Sequence, residues 1–552
     1  MTACLYFHPD GYTTTGRQIM GRHAAGESFL RGFLQGTRGQ DLWIQVEEPG
    51  HVAEFQAIAA GLGRTEPLHA VDCRRLADLS KPGLVFHPGP GIGAEAFKRS
   101  RAGHRSWSLC GITHTICSAR VMDSIVALPT APLHPWDALI CTSEAVLASV
   151  QTLLAAQQAY LQERLGSTRL PLPQLPVIPL GIHSEDFQSS AADRQAARRN
   201  LGAEADDLVV MFIGRLAFHA KAHPLAMYRA LEQSAQAAGV RVVLVECGWH
   251  ANEYIRDSYG QAAAATCPSV TVVGLDGRDP EQRRRAWAGA DVFCSLADNI
   301  QETFGLTPLE AMAAGLPVVV SDWDGYKDTV RHGIDGFRIP TLMAHAGLGA
   351  DLAYRHALGI DTYDLYCGYS SSFVAVDVPA ATKAFTQLFS SAELRRRMGA
   401  EGRQRVRSTF DWTVIFPRYQ ELWAELNEIR TCSSELPAEA QTWPARLDPF
   451  AAFAGYPTGT LGATTRLSLS EPDLKAALQR LDHLLSLDMV AFARPVLPSK
   501  TELEAVLRAA GQGPLSAQEL FRALPQQRRA LVCRALLWLI KLDLLRVVAA
   551  AP

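Results

Sequence analysis

The chain lacks a C-x-x-C pair, a long unbroken apolar run, and an excess of charge of either sign. Its cysteines, Cys4, Cys73, Cys110, Cys117, Cys141, Cys247, Cys267, Cys294, Cys367, Cys432 and Cys533, are scattered and odd in number. That pattern argues against a disulfide framework or a zinc ribbon and favours a reducing compartment. Several cysteines lie in apolar runs such as LCGITHTIC, where they read as small buried hydrophobes. The start, MTACLYFHPDGY, enters an apparent strand at once, so no signal peptide is expected. The late run ALLWLIKLDLLRVV is broken by Lys541, Asp543 and Arg546, too short and too charged to span a bilayer. With 53 Lys and Arg against 56 Asp and Glu, the net charge is −3, which argues against broad capture of nucleic acid or acidic membrane. Lysines are few, so each is worth locating.

What is present is a chain of 552 residues with 48% hydrophobic content, which excludes disorder and leaves room for two large domains plus a smaller one. Short apolar runs at 5–7, 42–45, 84–86, 109–113, 138–141 and 177–180 predict strands, separated by helical patterns near 17–36, 52–62, 117–128 and 143–164. After the Pro-rich stretch LPLPQLPVIPLGIHSEDF, a second series predicts strands at 208–213, 240–245, 270–273, 292–295 and 317–320. Helical patterns near 222–238, 251–265, 279–289, 307–314 and 324–331 alternate with them. Strand–helix alternation predicts two α/β units, each a doubly wound, mostly parallel sheet, with a cleft between them. The expected divisions are 1–185, 200–410, a linker at 431–465 and a helical module at 466–552, with a helix over 411–430 crossing back to the first unit.

The segment 291–320, DVFCSLADNIQETFGLTPLEAMAAGLPVVV, carries the most chemistry. A buried strand ends near Ser295 and a loop follows. Thr307 is suited to cap a helix, Pro308 suits its first position, and Gly315 to Pro317 stops it. Free N–H groups around Gly305 to Leu309 would face the cleft and suit a diphosphate. Glu302 lies in the loop and Glu310 in the first helical turn. On spacing alone, Thr307-x-x-Glu310 is also a capping box.

The string ETFGLTPLEAMAAGLPVVVSDWDG resembles the signature of family 4 glycosyltransferases, retaining enzymes of the GT-B fold. VVMFIGRLAFHAK is similar to a second family segment, in which a strand ends in Gly214 and is followed by Arg215 and Lys221. The resemblance covers roughly residues 1–430 and is stronger in the second unit. It implies that Arg215 and Lys221 grip the donor diphosphate and that Glu302 orients the sugar hydroxyls. It also implies that Thr303, Phe304, Gly305 and Leu306 line the donor, and that Glu310 accepts hydrogen bonds from the ribose. Lys221 is the only lysine between Lys98 and Lys327. His114, in GITHT, matches a family histidine near the donor sugar. In the first unit the family's Gly-rich loop corresponds to HPDGYTTTGRQIMGRHAAGESFL, where Gly16 and Gly21 flank the expected helix start. Gly274 in VTVVGLDGRD is placed after a strand, facing the nucleotide base. The usual family Asn is replaced by Leu180.

Asp322-Trp-Asp324 matches the D-x-D pattern of a different glycosyltransferase fold, but GT-B enzymes generally need no bound metal, so none is expected. The implied partners are a nucleotide sugar as substrate and a saccharide or lipid-linked acceptor. No other cofactor is implied. In the tail, Ser516-x-x-Glu519 predicts a capping box, 526–541 a helix and 544–548 a strand, a winged-helix-like pattern. Arg528, Arg529, Arg534, Lys541 and Arg546 are too sparse for a nucleic-acid footprint. The module reads as a surface for a protein partner or self-association. The expected location is cytoplasmic, at most peripheral to a membrane. The alternatives are a non-catalytic scaffold, or a phosphorylase or small-sugar synthase on the same fold.

Overall fold

In the computed structural model the described residues are 3–13, 21–434, 443–522 and 529–548. They form two compact units, Met1–Trp443 and Pro444–Pro552. The boundary falls inside the stretch expected to be a linker.

The first unit holds two six-stranded parallel sheets. In the N-terminal lobe these are β1 (Cys4–Tyr6), β2 (Leu42–Val46), β3 (Leu68–Asp72), β4 (Leu84–Phe86), β5 (Ser108–Ile112) and β6 (Ala138–Ile140), in the order β3-β2-β1-β4-β5-β6. The C-terminal lobe has β7 (Leu208–Leu216), β8 (Val242–His250), β9 (Thr271–Asp276), β10 (Val292–Ser295), β11 (Val318–Ser321) and β12 (Gly336–Ile339), in the order β12-β11-β10-β7-β8-β9. Taking each lobe's first strand as its origin, the two orders are the same doubly wound pattern. The order reverses between β1 and β4 and again between β7 and β10. Ligands of such sheets bind outside the strand carboxyl ends at that reversal. The central strands are apolar over most of their length because helices cover both faces; Leu208 to Phe212 are all buried.

Edge strands depart most from expectation. β3 and β12 were not foreseen, and the expected strand at 177–180 is only an isolated bridge, Val177 to Cys141. LHAVD and GFRI have weaker apolar runs because an edge strand is covered less completely.

The lobes are joined twice. The backbone N–H of Ile182 donates to the Phe410 carbonyl at 2.9 Å, and Trp412 N–H donates to Ile182 at 3.1 Å. Asp411 caps the next helix and accepts from the Ser184 N–H and hydroxyl at 3.1 and 2.6 Å. That helix, Trp412–Cys432, lies on helix Gly21–Gly36 of the N-terminal lobe. Gly32 and Gly36 make the approach close: an added Cβ would sit 2.8 Å from the Trp412 ring and 2.2 Å from that of Phe416. Phe29, Phe33 and Phe86 pack on Trp412, Phe416, Tyr419 and Trp423. Truncating one such core aromatic typically costs about 3–5 kcal/mol.

One excursion leaves the C-terminal lobe after β12. Strands β13 (Thr341–Met343) and β14 (Val374–Val376) pair antiparallel at its base, and helices Ala350–Ala357 and Tyr363–Ser371 form its body. Arg355 clamps Asp361 at 2.8 and 2.6 Å and fixes the turn between the helices.

The second unit has a three-stranded antiparallel sheet, β16-β15-β17, from Arg466–Leu469 (β15), Leu515–Ser516 (β16) and Leu545–Val547 (β17). Helices Leu474–Leu485, Lys500–Ala510, Ala517–Phe521 and Arg529–Lys541 supply a core of Leu481, Leu507, Leu536 and Leu539 on Leu467 and Leu545. The Ser516 and Glu519 capping box is formed, as is a second at Ser499 and Glu502. Arg528 lies outside the described residues.

Candidate active site

At the C-terminal reversal, Arg215 is the penultimate residue of β7. A tight turn follows, in which Lys221 N–H donates to the Ala217 carbonyl at 2.9 Å. This turn brings Lys221 beside the loop after β10, where its ammonium is ion-paired with Glu302. Asn299 holds the two loops together, donating to the His219 carbonyl at 3.1 Å. Arg215 donates to the Ala220 carbonyl at 2.9 Å and to the Gln301 side chain at 3.2 Å.

Burial pushes the Glu302 carboxyl up, but the Lys221 ammonium and the Thr303 and Phe304 N–H groups outweigh it and hold Glu302 below the ordinary range. Glu302 is therefore a carboxylate. Asp324 stands beside it and behaves oppositely. Burial, reinforced by the Glu302 charge, raises Asp324 well above the ordinary value. Such a divergent pair separates an ionised from a protonated role.

The helix after the loop is Leu306–Ala313, capped by Gly305 and not by Thr307. Gly305 has φ of 84°, and a Cβ there would lie 2.0 Å from the Tyr326 ring. Starting the helix two residues earlier corrects the expected capping box: Glu310 is the fifth helical residue, and its carboxyl is free of the cap. Burial pushes it up to about 7, with Arg283 opposing.

The N-terminal lobe reaches this loop directly. The Thr303 hydroxyl donates to the His114 carbonyl at 2.5 Å, and the Ser143 hydroxyl donates to the Thr303 carbonyl at 2.8 Å. Arg215, Lys221, His114 and the segment Glu302 to Leu306 are thus gathered in one place. Gly21 opens helix Gly21–Gly36. Gly16 lies outside the described residues. Gly274 is a correction: it sits inside β9, paired with Glu246, rather than beyond the strand. The two members of the D-x-D pattern diverge, with Asp322 3.4 Å from Arg338 and Asp324 accepting from the Gly325 N–H within reach of the Glu302 charge. Among the described residues, no group of three or more His, Cys, Asp or Glu is placed to hold a metal ion.

Sequence reading missed the influence of the Glu302 charge on Asp324, which it weighed as half of a metal motif in a turn near the sugar. It also missed Asp364, which lies 3.6 Å from Arg215. Nothing in the linear spacing connects a residue of the excursion to β7.

Residues 193–346 match the family described as "Glycosyl transferases group 1". The D-inositol 3-phosphate glycosyltransferase of Thermobispora bispora is 30% identical over 197 residues, 35% of this chain and 45% of that protein. The enzyme of the same name from Kribbella flavida is 26% identical over 291 residues, 51% of this chain and 67% of that protein. The chain thus spans about half the length of the curated relatives it matches. A crystal structure of a glycosyltransferase from Rickettsia africae ESF-5 superposes with a TM-score of 0.50 at 11% identity, over 77% of this chain and 99% of that one. At that identity the likeness concerns the fold alone: two Rossmann-like lobes in the GT-B arrangement, which is the fold observed here.

Proposed function

We propose that the first unit is a retaining glycosyltransferase of the family 4 kind, moving a sugar from a nucleoside diphosphate donor to a saccharide or glycolipid acceptor. One observation carries this reading: Arg215, the Lys221–Glu302 pair and the start of helix Leu306–Ala313 converge at the strand-end reversal of one lobe.

As the glycosidic bond breaks, negative charge grows on the diphosphate and positive charge on the sugar ring. Arg215, Lys221 and the amide groups after Gly305 stabilise the first. Each such preorganised donor is worth about 2.7–4 kcal/mol. Lys221 swings from Glu302 toward the phosphate, which leaves the Glu302 carboxylate facing the electron-poor ring and its hydroxyls. Glu310 accepts from the ribose. The acceptor attacks from the face the leaving group departs, and a donor phosphate oxygen takes its proton. Thr303, bonded to both His114 and Ser143, keeps the lobes closed over the donor and excludes water. No metal enters this scheme. The second unit serves as a docking or self-association surface, the protein works in the cytoplasm or at a membrane face, and nucleic acid is not a partner. Among the described residues, no helix is long and apolar enough to cross a membrane.

The test is incubation with a panel of nucleotide sugars, reading free nucleoside diphosphate and sugar-bearing product. At least one donor should be consumed with retained anomeric configuration. If no nucleoside diphosphate binds in a thermal-shift panel and no donor turns over, the reading is wrong.

A further inference from the structure

Two thiols meet where the excursion touches the N-terminal lobe. Cys117, just beyond β5 and three residues after His114, has its Sγ 3.8 Å from the Sγ of Cys367 on helix Tyr363–Ser371. They are 250 residues apart in sequence and belong to different lobes. Cys117 is 7% exposed and Cys367 fully buried. The Tyr363 hydroxyl lies 3.5 Å from the Cys117 sulfur and 3.4 Å from the Thr115 hydroxyl.

The environment of this pair differs from that of the other buried cysteines. Burial pushes the thiols of Cys110, Cys141, Cys247 and Cys267 up to about 12. Cys117 goes the other way, to about 7, chiefly because the Cys367 thiol donates to it, while Cys367 itself is raised. The hydrogen bond between the two sulfurs favours a thiolate on Cys117 with the proton on Cys367, which suits an attacking and a resolving thiol.

We infer that Cys117 and Cys367 are a reversible disulfide site, oxidised by a hydroperoxide, that ties the excursion to the N-terminal lobe. In the first step the Cys117 thiolate attacks a peroxide oxygen, the O–O bond breaks, and Cys117 becomes a sulfenic acid as hydroxide leaves and takes up a proton. In the second, the Cys367 sulfur attacks the sulfenic sulfur, its proton passes to the departing hydroxide, and water leaves. Two thiols and one hydrogen peroxide give one disulfide and two waters. A thiol reductant reverses it. The linkage brings the sulfurs from 3.8 Å to about 2.05 Å. The same helix carries Asp364 beside Arg215, so the linkage holds that carboxylate over the cleft.

The experiment treats the full chain with a modest excess of hydrogen peroxide, blocks remaining thiols, and maps non-reduced peptides by mass spectrometry. The Cys117–Cys367 cross-linked peptide should appear before modification of the exposed Cys73, Cys432 and Cys533, and vanish with dithiothreitol. Hydrogen exchange across 350–371 should slow at least several-fold on oxidation and recover on reduction. Sulfinic acid at Cys117 with no cross-link, or cross-links confined to other cysteines, overturns the inference. Because the wild-type chain is used, no variant has to fold. The readout is independent of sugar transfer, so its failure leaves the proposed activity standing.

Discussion

One ion pair in the N-terminal lobe and one in the C-terminal lobe of the first unit are built differently. In the N-terminal lobe, Arg99 and Asp137 are wholly buried, bonded at 2.5 and 2.8 Å. Arg99 also donates to the carbonyls of Trp107 and Pro132, and Asp137 accepts from the N–H groups of Leu109 and His134. In the C-terminal lobe, Lys221 and Glu302 are partly exposed, 24% and 11%. A wholly buried pair tied to several backbone groups locks loops together; a partly exposed pair at a strand end is accessible to a ligand. The contrast separates structure from chemistry on two sheets of the same topology.

Breaking the buried pair should have the largest effect. Asp137→Ala leaves a buried guanidinium unpaired and should lower stability by about 3–5 kcal/mol, read by urea unfolding. Equal stability of the variant would mean that the pair contributes little.

Breaking the open pair should cost activity more than fold. Lys221→Ala should lower turnover by about 10²–10³ once a donor is known. Retained turnover with a raised KM alone would assign Lys221 to donor binding rather than to the leaving group.

Glu310 sharpens the comparison through pH. Its carboxyl titrates near 7 in the free protein. If the ionised form accepts the ribose hydroxyls, nucleotide affinity should rise by about tenfold between pH 6 and pH 8. Isothermal titration on wild type and Glu310→Gln checks this, and the slope should vanish in the variant. The folded-state value is raised, so the group's contribution to stability has the reverse sign: it declines as pH climbs from the ordinary glutamate range through about 7.

The smallest change expected is at Asp364. Removing a partly exposed carboxylate 3.6 Å from Arg215 frees the cation for phosphate. Asp364→Ala should tighten nucleoside diphosphate binding about two- to fivefold, the scale of a surface pair. Weaker binding would instead make Asp364 a positioning residue.

Much of this was legible in the linear chain. The central strands of both sheets announce themselves as apolar runs, and β4 and β10 fall where those runs place them. Arg215, Lys221 and Glu302 were visible because the strings around them resemble a known family; local pattern alone would have left them as surface charge and a solvated loop carboxylate. Edge strands β3 and β12 were not, since partial cover leaves a weak apolar signal. The cap at Gly305 was missed because a glycine forced by the Tyr326 ring leaves no side-chain cue.

The order of residues by itself determined the two alternating lobes, the strand-end cations and the loop carboxylate, because each depends on neighbours a few positions away. Folding in three dimensions alone decided that Asp364 would face Arg215, that the Glu302 charge would act on Asp324, and that Cys117 would meet Cys367. Those contacts join segments far apart along the chain, and their energies depend on burial and distance, which no local pattern encodes.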